Sequence, residues 1–327
     1  MKRFVAQFSC VCAAGLVFGA ALLPAVSEAQ QPANIPRVGA IVAGTAGPFD
    51  AFRRGLGELG YVEGRNIVFE SRIAQGQLDR LPDFAAEMVR LKVDVIAVIG
   101  AITARAAQKA TSNIPLVFAS AVDPVADGVV ASLARPGGNT TGVSSFDAQQ
   151  ARTQLELLKR AIPGLKRVAL LGDQGVSEGI LMANEEAARA LGLQAQRLRV
   201  KGPTPDLEGA FAAMKNERAQ VLLILEEPII AVNRKRIAEL AAANRLPTMF
   251  PRDFAEAGCL IAYGTSFLEA ARRMAGLVDK VLKGAKPGDL PVEVFTRHEL
   301  IINLKTAGEI GVTIPPEVLK QADRVIQ

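Results

Sequence analysis

Polar groups suited to holding a small charged molecule recur in this sequence directly after apolar, strand-like runs. One such run ends at Gly100, and the helix start that follows would present free backbone N–H groups, the positive end of a helix dipole and the Thr103 hydroxyl, which together suit a carboxylate. Asp123, Glu226 and Glu227 follow other runs, and their carboxylates could receive an ammonium group. The pattern therefore predicts binding of an amino acid or a related carboxylate.

One rule for open parallel α/β sheets supplies the complete set of candidate binding residues. Ligands of such sheets bind in the crevice beyond the carboxyl ends of the strands, where loops and helix starts converge. The rule selects loops from both halves of this chain, with aromatic rings to cover an apolar ligand body. The candidates are Thr45, Phe49, Gly100, Ala101, Ile102, Thr103, Ser120, Asp123, Asp173, Glu226, Glu227, Phe250, Arg252 and Tyr263.

Several of these residues also have a purely structural interpretation. Asp123 could cap the short helix predicted to start at Pro124, because Asp at the cap and Pro at the first helical position are typical of helix starts. One of Glu226 and Glu227 is expected to face solvent. Arg252 could form a salt bridge to the other half of the protein instead of holding a ligand. The sequence leaves both roles open for these residues.

Patterns typical of catalysis or metal binding are weak. His298 is the only histidine, so a histidine-rich metal site is excluded, and its context predicts a solvent-facing strand residue. Gly55, Gly57 and Gly60 have the spacing of a dinucleotide fingerprint, but they fall late in a predicted helix and not between a strand and a helix start. We therefore expect a protein that is not an enzyme, with no cofactor and no metal.

The first 29 residues have the pattern of a cleavable secretory signal. Lys2 and Arg3 precede the apolar run Phe4–Val26, and small residues follow it up to a cut before Gln30. The run is also long enough to span a membrane, but the proline near its end and the small residues favour cleavage. We therefore expect the mature protein in the periplasm.

Length and composition suit two α/β lobes with aliphatic cores. The 327 residues exceed one average domain, half of them are hydrophobic, and only 5% are aromatic. The net charge is +5 without any long run of Lys and Arg, which excludes a nucleic-acid-binding arm. Signal cleavage would leave Cys259 as the only cysteine, and its apolar neighbours predict a buried small residue.

Alternating strand and helix patterns repeat in the two halves of the chain and predict two parallel sheets. The run Val93–Gly100 resembles Gln220–Glu227, and Ile114–Phe118 resembles Leu246–Phe250. Between the halves, Asp123–Gly142 predicts a loop, a short helix and a turn before the chain crosses over. A single large doubly wound domain is the alternative. The predicted division is 1–29 signal peptide, 36–145 with 264–288 lobe I, and 146–263 with 289–327 lobe II.

Five segments resemble one known family closely. They are Phe52–Ile67, Asp79–Pro82, Leu91–Ile96, Asp123–Gly142 and Ile301–Ala307. In these segments the chain resembles the ABC-transporter substrate-binding proteins that include periplasmic tryptophan and tyrosine binders. The resemblance covers essentially all of the chain after the signal sequence. It implies the type I periplasmic binding protein fold, in which two Rossmann-like lobes with parallel sheets are joined by a multi-crossover hinge.

The resemblance implies a secreted receptor that captures a small-molecule solute between its lobes and delivers it to an ABC permease in the inner membrane. We expect a monomer. The chain departs from the family pattern in the short loop Gly44–Pro48 and in Glu226-Glu227-Pro228, where an Asp-Pro pair is common, so the identity of the solute stays open. A periplasmic ligand sensor that feeds a membrane signalling partner is the nearest alternative, and a secreted hydrolase using Asp or Glu is a more distant one.

Overall fold

The computed structural model describes residues 35–120, 123–145, 147–225 and 228–327. The predicted signal peptide, residues 1–29, lies outside the described residues. The candidate binding residues Glu226 and Glu227 lie outside them as well, and so does the side chain of Ser120.

The described residues form thirteen strands in two sheets. In chain order the strands are β1 (Arg37–Val42), β2 (Val68–Ile73), β3 (Val95–Ile99), β4 (Leu116–Ser120), β5 (Thr140–Ser144), β6 (Arg167–Asp173), β7 (Gln194–Val200), β8 (Val221–Ile224), β9 (Thr248–Phe250), β10 (Ile261–Thr265), β11 (Glu293–Val294), β12 (His298–Asn303) and β13 (Arg324–Ile326). The first sheet has the order β11-β5-β4-β3-β1-β2, and the second has the order β13-β12-β10-β9-β8-β6-β7.

Nearly all strand pairings are parallel. Every pairing of the first sheet is parallel, and in the second sheet only β10 and β12 run antiparallel. The central strand β3 is buried along its whole length, as parallel strands covered by helices on both faces must be. The predicted α/β fold of two parallel-dominated sheets is therefore confirmed.

Ten α-helices and three short 3₁₀-helices lie within the described residues. The α-helices are α1 (Gly47–Glu58), α2 (Leu81–Arg90), α3 (Ala101–Ala110), α4 (Gln150–Ala161), α5 (Glu178–Ala190), α6 (Leu207–Asn216), α7 (Pro228–Ala243), α8 (Phe267–Leu282), α9 (Leu304–Ile310) and α10 (Pro316–Leu319). The 3₁₀-helices are Leu78–Arg80, Arg252–Ala257 and Pro287–Asp289. Among the helices of the described residues, none combines the length and the apolar character needed to cross a bilayer.

Helix α8 returns the chain from the second sheet to the first. Ser266 caps its start, because the Ser266 hydroxyl accepts a hydrogen bond from the Glu269 backbone N–H at 3.1 Å. Its apolar stripe includes Met274 and Val278, which are fully buried, and it packs against α1 and β4. The helix thus completes the apolar layer on one face of the first sheet.

The chain passes between the sheets after β5, after β10 and after β11. The segment 292–304 contributes one strand to each sheet. Glu293 pairs in parallel with Val143 at the edge of the first sheet, and β12 joins the second. The lobe boundaries stay predictions, and the β11 pairing favours a third crossing after Val294 and not near Pro287. Helix α8 ends at Leu282, Gly284 adopts a φ of +97°, and the chain stays with the first sheet through the 3₁₀-helix at Pro287 until β11.

The prediction of a short helix after Asp123 is wrong, because this segment forms turns. The Asp123 carboxylate accepts hydrogen bonds from the backbone N–H groups of Val125 at 2.9 Å and Ala126 at 3.1 Å. Gly128 then adopts a φ of +69°, which ends the helical turn before a second one can form. The cap forms as predicted, but the glycine lies too close for the helix to continue.

Candidate functional site

Two cavities are lined by loops that leave the carboxyl ends of strands in both sheets. We refer to the cavity of about 200 Å³ as the first chamber and to the cavity of about 320 Å³ as the second chamber. Asp127 and Ser177 line both, and the Ser177 hydroxyl donates a hydrogen bond to the Asp127 carboxylate. The two chambers therefore meet at this pair, as the rule for parallel sheets leads one to expect.

One end of the first chamber is polar. Gly100, Ala101 and Ile102 line it at the start of α3, where no side chain caps the helix and the first backbone N–H groups have no intrahelical acceptor. Arg105 follows one turn later, and its guanidinium nitrogen lies 3.9 Å from the Asp127 carboxylate oxygen. This end therefore offers N–H donors and a cation for an anionic group, beside an anion for a cationic group.

The Asp127 carboxylate is the most perturbed acid of this end. Its side chain is only 7% exposed. Burial raises the pKa of Asp127 above the ordinary aspartate value, and the negative charge of Asp123 raises it further. The positive charge of Arg105 and the hydrogen bond from Ser177 act in the opposite direction on this pKa. A cationic partner would offset much of the solvation free energy that the ionised carboxylate loses on burial.

Away from α3, most side chains of the first chamber are apolar or aromatic, and Arg234 and Asp253 are the charged ones among the described lining residues. The apolar and aromatic lining residues are Val42, Pro48, Ile99, Pro228, Ala231, Phe254, Phe267 and Leu268. The Arg234 guanidinium lies 5.6 Å from the centroid of the Phe254 ring, which fixes one wall by a cation–π contact. The chamber can therefore hold an apolar body whose charged groups face α3.

The family model described as "ABC transporter substrate binding protein" matches residues 44–326. This chain belongs to that family. One curated relative of this substrate-binding protein is the tyrosine-binding protein of Clostridioides difficile, which is 26% identical over 258 residues, covering 78% of this chain and 74% of the relative.

Solved structures are similar over nearly the whole protein. A conserved domain protein from Vibrio cholerae has a TM-score of 0.82 and 27% identity, covering 89% of this chain and 99% of that one. The ABC domain from Streptococcus pneumonia in complex with L-Trp has a TM-score of 0.81 and 25% identity, with the same coverage. A leucine-binding protein from Thermotoga maritima, at 16% identity and a TM-score of 0.56, shares the fold. The type I periplasmic binding protein fold is therefore confirmed.

The structure places half of the predicted site residues of this substrate-binding protein at the chambers. Those that line the first chamber are Thr45, Gly100, Ala101 and Ile102, and those that line the second are Asp123, Arg252 and Tyr263. Those buried away from both are Phe49, Thr103, Asp173 and Phe250. The rule about strand ends therefore located the cleft but did not identify every side chain that faces it.

Phe49 and Phe250 belong to the core and not to a chamber wall. Phe49 lies in the first turn of α1, and its ring meets the Phe69 ring edge-on at 5.9 Å between centroids. Phe250 ends the inner strand β9 and is fully buried. The aromatic rings that line the first chamber are instead those of Phe254, four residues after Phe250, and Phe267, at the start of α8.

Asp123 and Arg252 already have partners within the protein. The Asp123 carboxylate caps its own turn, as described above. The Arg252 guanidinium donates to Glu299 at 2.8 and 2.6 Å and to Asp253 at 2.8 Å. Because Glu299 belongs to β12 of the second sheet, this pairing joins parts of one sheet and does not bridge between the two. All three guanidinium nitrogens of Arg252 therefore donate to carboxylates of the protein itself, which argues against Arg252 as a ligand clamp.

The Asp173 carboxylate accepts a hydrogen bond from a backbone N–H in the first turn of α7. Its two carboxylate oxygens accept the backbone N–H groups of Gly175 at 2.6 Å and Ile229 at 2.7 Å, and the side chain is fully buried. Burial raises its pKa, and these backbone hydrogen bonds lower it. Asp173 thus positions the loop beside the first chamber without facing the chamber itself.

Replacing Asp173 by Ala is expected to lower the free energy of unfolding by about 2 kcal/mol, because the buried N–H of Ile229 and the partly buried N–H of Gly175 lose their acceptor. Asp173→Asn is expected to be nearly as harmful, since the amide can accept only one of the two bonds. Urea unfolding measures both values. Asp206→Ala, which removes the exposed cap of α6, is the control and should cost about half as much. Equal losses for the two caps would contradict a special role for burial at Asp173.

The predictions for Cys259 and His298 have different outcomes. Cys259 is buried as predicted, and burial raises its pKa to about 12. The prediction that His298 faces solvent is wrong, because its ring stacks on Tyr263 at 5.3 Å between centroids. Its Nε2 lies 3.5 Å from the carboxylate of Asp147. The histidine therefore belongs to the wall behind the second chamber, where β10 and β12 pair.

Sequence reasoning missed the two charged residues at the polar end of the first chamber. Arg105 lies one turn into α3, on the face that the Gly100 loop turns toward the cleft. Asp127 follows Asp123 by four residues, a spacing that returns a side chain to the same side after one turn. Both residues lie one turn beyond a strand end, whereas the strand-end rule selects only the residues at the strand ends themselves.

Proposed function

We propose that this protein is an extracytoplasmic receptor that captures an amino acid with a large apolar side chain and delivers it to the permease of an ABC importer. The observation that carries this proposal is the pairing of Arg105 with Asp127, at 3.9 Å, beside the open N-terminus of α3 in a chamber with aromatic and aliphatic walls. The names of the relatives, a tyrosine-binding protein and an L-Trp complex, support the same chemical class.

An amino acid fits this chamber group by group. Its carboxylate would meet the N–H groups at the start of α3 and the Arg105 guanidinium, which suits an anion. Its ammonium would meet the buried carboxylate of Asp127, which Arg105 approaches only to 3.9 Å. The long Arg105–Asp127 pair would thereby open to admit a zwitterion between its members. The side chain would lie against Phe254 and Phe267.

Capture would be coupled to closure of the cleft. The first chamber is lined from both sheets, so a bound solute gains contacts only when both walls are present. The backbones approach closely at one rim, where a Cβ placed on Gly44 would lie 3.5 Å from Pro228. Secretion, a monomeric state and delivery to a permease belong to the same proposal.

A thermal-unfolding panel tests the solute class. The mature protein, unfolded and refolded to strip carried-over solute, is heated with L-tryptophan, L-tyrosine, L-phenylalanine and L-leucine. At about 100 times its dissociation constant a ligand adds roughly 2.7 kcal/mol, which is a shift of several degrees for a protein of this size. We expect such a shift with at least one aromatic amino acid, because the chamber has aromatic walls and one polar end.

Two analogues serve as matched controls. Tryptamine lacks the carboxylate and indole-3-propionate lacks the ammonium, so each should lose most of the shift given by tryptophan. An equal shift with tryptamine would contradict carboxylate binding at α3. A shift with sugars or nucleosides and with none of the amino acids would overturn the proposed solute class.

A further inference from the structure

The second chamber is larger than the first and has a different chemistry. Among the described residues, its lining includes three carboxylates, Asp123, Asp127 and Asp147, and one guanidinium, that of Arg252. The two carboxylates of Glu299 and Asp253 already neutralise Arg252, as described above. Arg105 offsets the charge of Asp127 from the side of the first chamber. The excess negative charge of the second chamber therefore lies on Asp123 and Asp147, neither of which forms an ion pair with a Lys or Arg of the described residues.

The influence of this charge extends to the groups around the chamber. Burial raises the pKa of Tyr263, and the negative charge of Asp147 raises it further. The charge of Asp123 acts in the same sense on Asp127, although burial has the larger effect there. Like charges held near each other in a partly closed cavity favour the arrival of a cation.

A buried amide supplies an independent observation. Asn184 lines the second chamber and is 4% exposed. Its amide nitrogen donates to the Ile180 carbonyl at 2.8 Å, which fixes the orientation of the side chain. Its amide oxygen is buried and accepts no hydrogen bond from the described residues. A buried acceptor without a donor is rare in folded proteins, and a ligand that carries N–H groups would satisfy it.

We propose that the second chamber is a separate binding site for a small organic cation bearing an amino or guanidino group. The cation would be received by Asp123 and Asp147, with an N–H donated to the Asn184 amide oxygen and the Tyr263 ring as one wall. This site does not depend on the amino-acid site, although Asp127 borders both chambers. A cation held here would lie beside the ammonium proposed for the first chamber.

Agmatine, which carries both groups, is the main probe, and calorimetry measures its affinity. Butylammonium and methylguanidinium distinguish the two cationic groups, and N-methylurea is the uncharged control with the shape of methylguanidinium. We expect agmatine to bind, at least one of the two small cations to compete with it, and N-methylurea to do neither. Raising NaCl from about 0.05 M to about 0.5 M should weaken agmatine binding severalfold, because salt screens the aspartates.

Two variants locate the site. Asn184→Leu removes the free acceptor and should weaken agmatine binding about tenfold. Asp147→Asn keeps the size of the side chain and removes one charge, with a similar expected loss. Thermal unfolding of both variants checks that they fold, and agmatine binding to whichever variant is folded decides the location.

A crossed comparison separates this site from the amino-acid site. Arg105 lines only the first chamber and Asn184 only the second. The Arg105→Ala variant should bind aromatic amino acids more weakly and bind agmatine as the parent protein does. The Asn184→Leu variant should bind agmatine more weakly and bind aromatic amino acids as the parent protein does. The inference is overturned if agmatine does not bind, if N-methylurea competes as well as methylguanidinium, or if folded Asn184→Leu and Asp147→Asn both bind agmatine as the parent protein does.

Discussion

Replacing Asp127 by Asn is expected to weaken binding of the aromatic amino acid about 30-fold or more. The reason is that the ligand ammonium would lose the carboxylate that lies beside the start of α3, while Arg105 would remain to hold the ligand carboxylate. The other carboxylate that lines this chamber, Asp253, already accepts hydrogen bonds from Arg252 and from the Leu268 backbone N–H. Removing one member of a buried charged pair typically costs about 2–5 kcal/mol. Calorimetric titration of the parent protein and the variant with L-tryptophan or L-tyrosine measures the loss.

Asp123→Asn is the matched control for this prediction. Asp123 lies four residues earlier in the same loop, and Asn can still accept the N–H groups of Val125 and Ala126 that the carboxylate accepts now. Because Asp123 lines only the second chamber, amino-acid affinity should change less than about threefold, which is under 1 kcal/mol. Similar losses in both variants would show that the loop and not the Asp127 charge governs binding.

The same carboxylate sets the pH dependence of amino-acid binding. Burial raises the pKa of Asp127, so the acid takes up its proton at a higher pH than an ordinary aspartate. Only the ionised form attracts an ammonium. Affinity should therefore be constant above the raised pKa and fall as the pH drops through it, whereas Asp127→Asn should lack this step.

The strand-end rule explains both what sequence analysis found at the site and what it missed. It selected Thr45 and Gly100, which line the first chamber in the structure, because parallel strands bring their carboxyl ends to one edge wherever the exact helix bounds fall. It could not decide which aromatic ring turns inward. Phe250 and Phe254 are separated by one short 3₁₀ helix, and only the path of that helix places the second ring at the chamber.

The crossings between the sheets were harder to predict than the sheets themselves. Apolar runs such as Val95–Ile99 identify buried strands from local composition alone. The two-residue strand β11 has no such signal, since it exists only because the edge of β5 is available to pair with it. The burial of His298 behind Tyr263 is likewise a consequence of the antiparallel register of β10 with β12, which the residues on either side of His298 do not encode.

The contact between α1 and α8 shows how a motif that suggests chemistry can have a packing role. Gly55, Gly57 and Gly60 match the spacing of a dinucleotide fingerprint, and the prediction that they fall late in a helix is confirmed for Gly55 and Gly57 within α1. A Cβ built on Gly55 would lie 2.3 Å from the backbone oxygen of Arg272 and 2.9 Å from the Cβ of Ala275, both in α8. The absence of a side chain at Gly55 therefore lets the two helices approach.

Polar contacts fix the same interface at its ends. Arg272 donates to Glu58 at 2.5 Å, and the Tyr61 hydroxyl donates to Asp279 at 2.9 Å. The pKa of Tyr61 is raised to about 12. Burial is the largest cause, and the hydrogen bond to Asp279 and the negative charge of Asp279 add to it. These contacts oppose a shift of α8 that would make room for a larger residue at position 55.

Gly55→Ala is therefore expected to lower the free energy of unfolding by about 3 kcal/mol, at the upper end of the usual cost of overpacking, because the obstructing atoms include helix backbone. Gly57→Ala is the control in the same helix. Gly57 is exposed and a Cβ built on it meets no atom within 4 Å, so alanine should stabilise the protein by about 0.5–1 kcal/mol through its higher helix propensity. Urea unfolding measures both changes. Opposite signs at two glycines separated by one residue would assign the cost to the α1–α8 contact, whereas stabilisation by both alanines would show that the helices can separate freely.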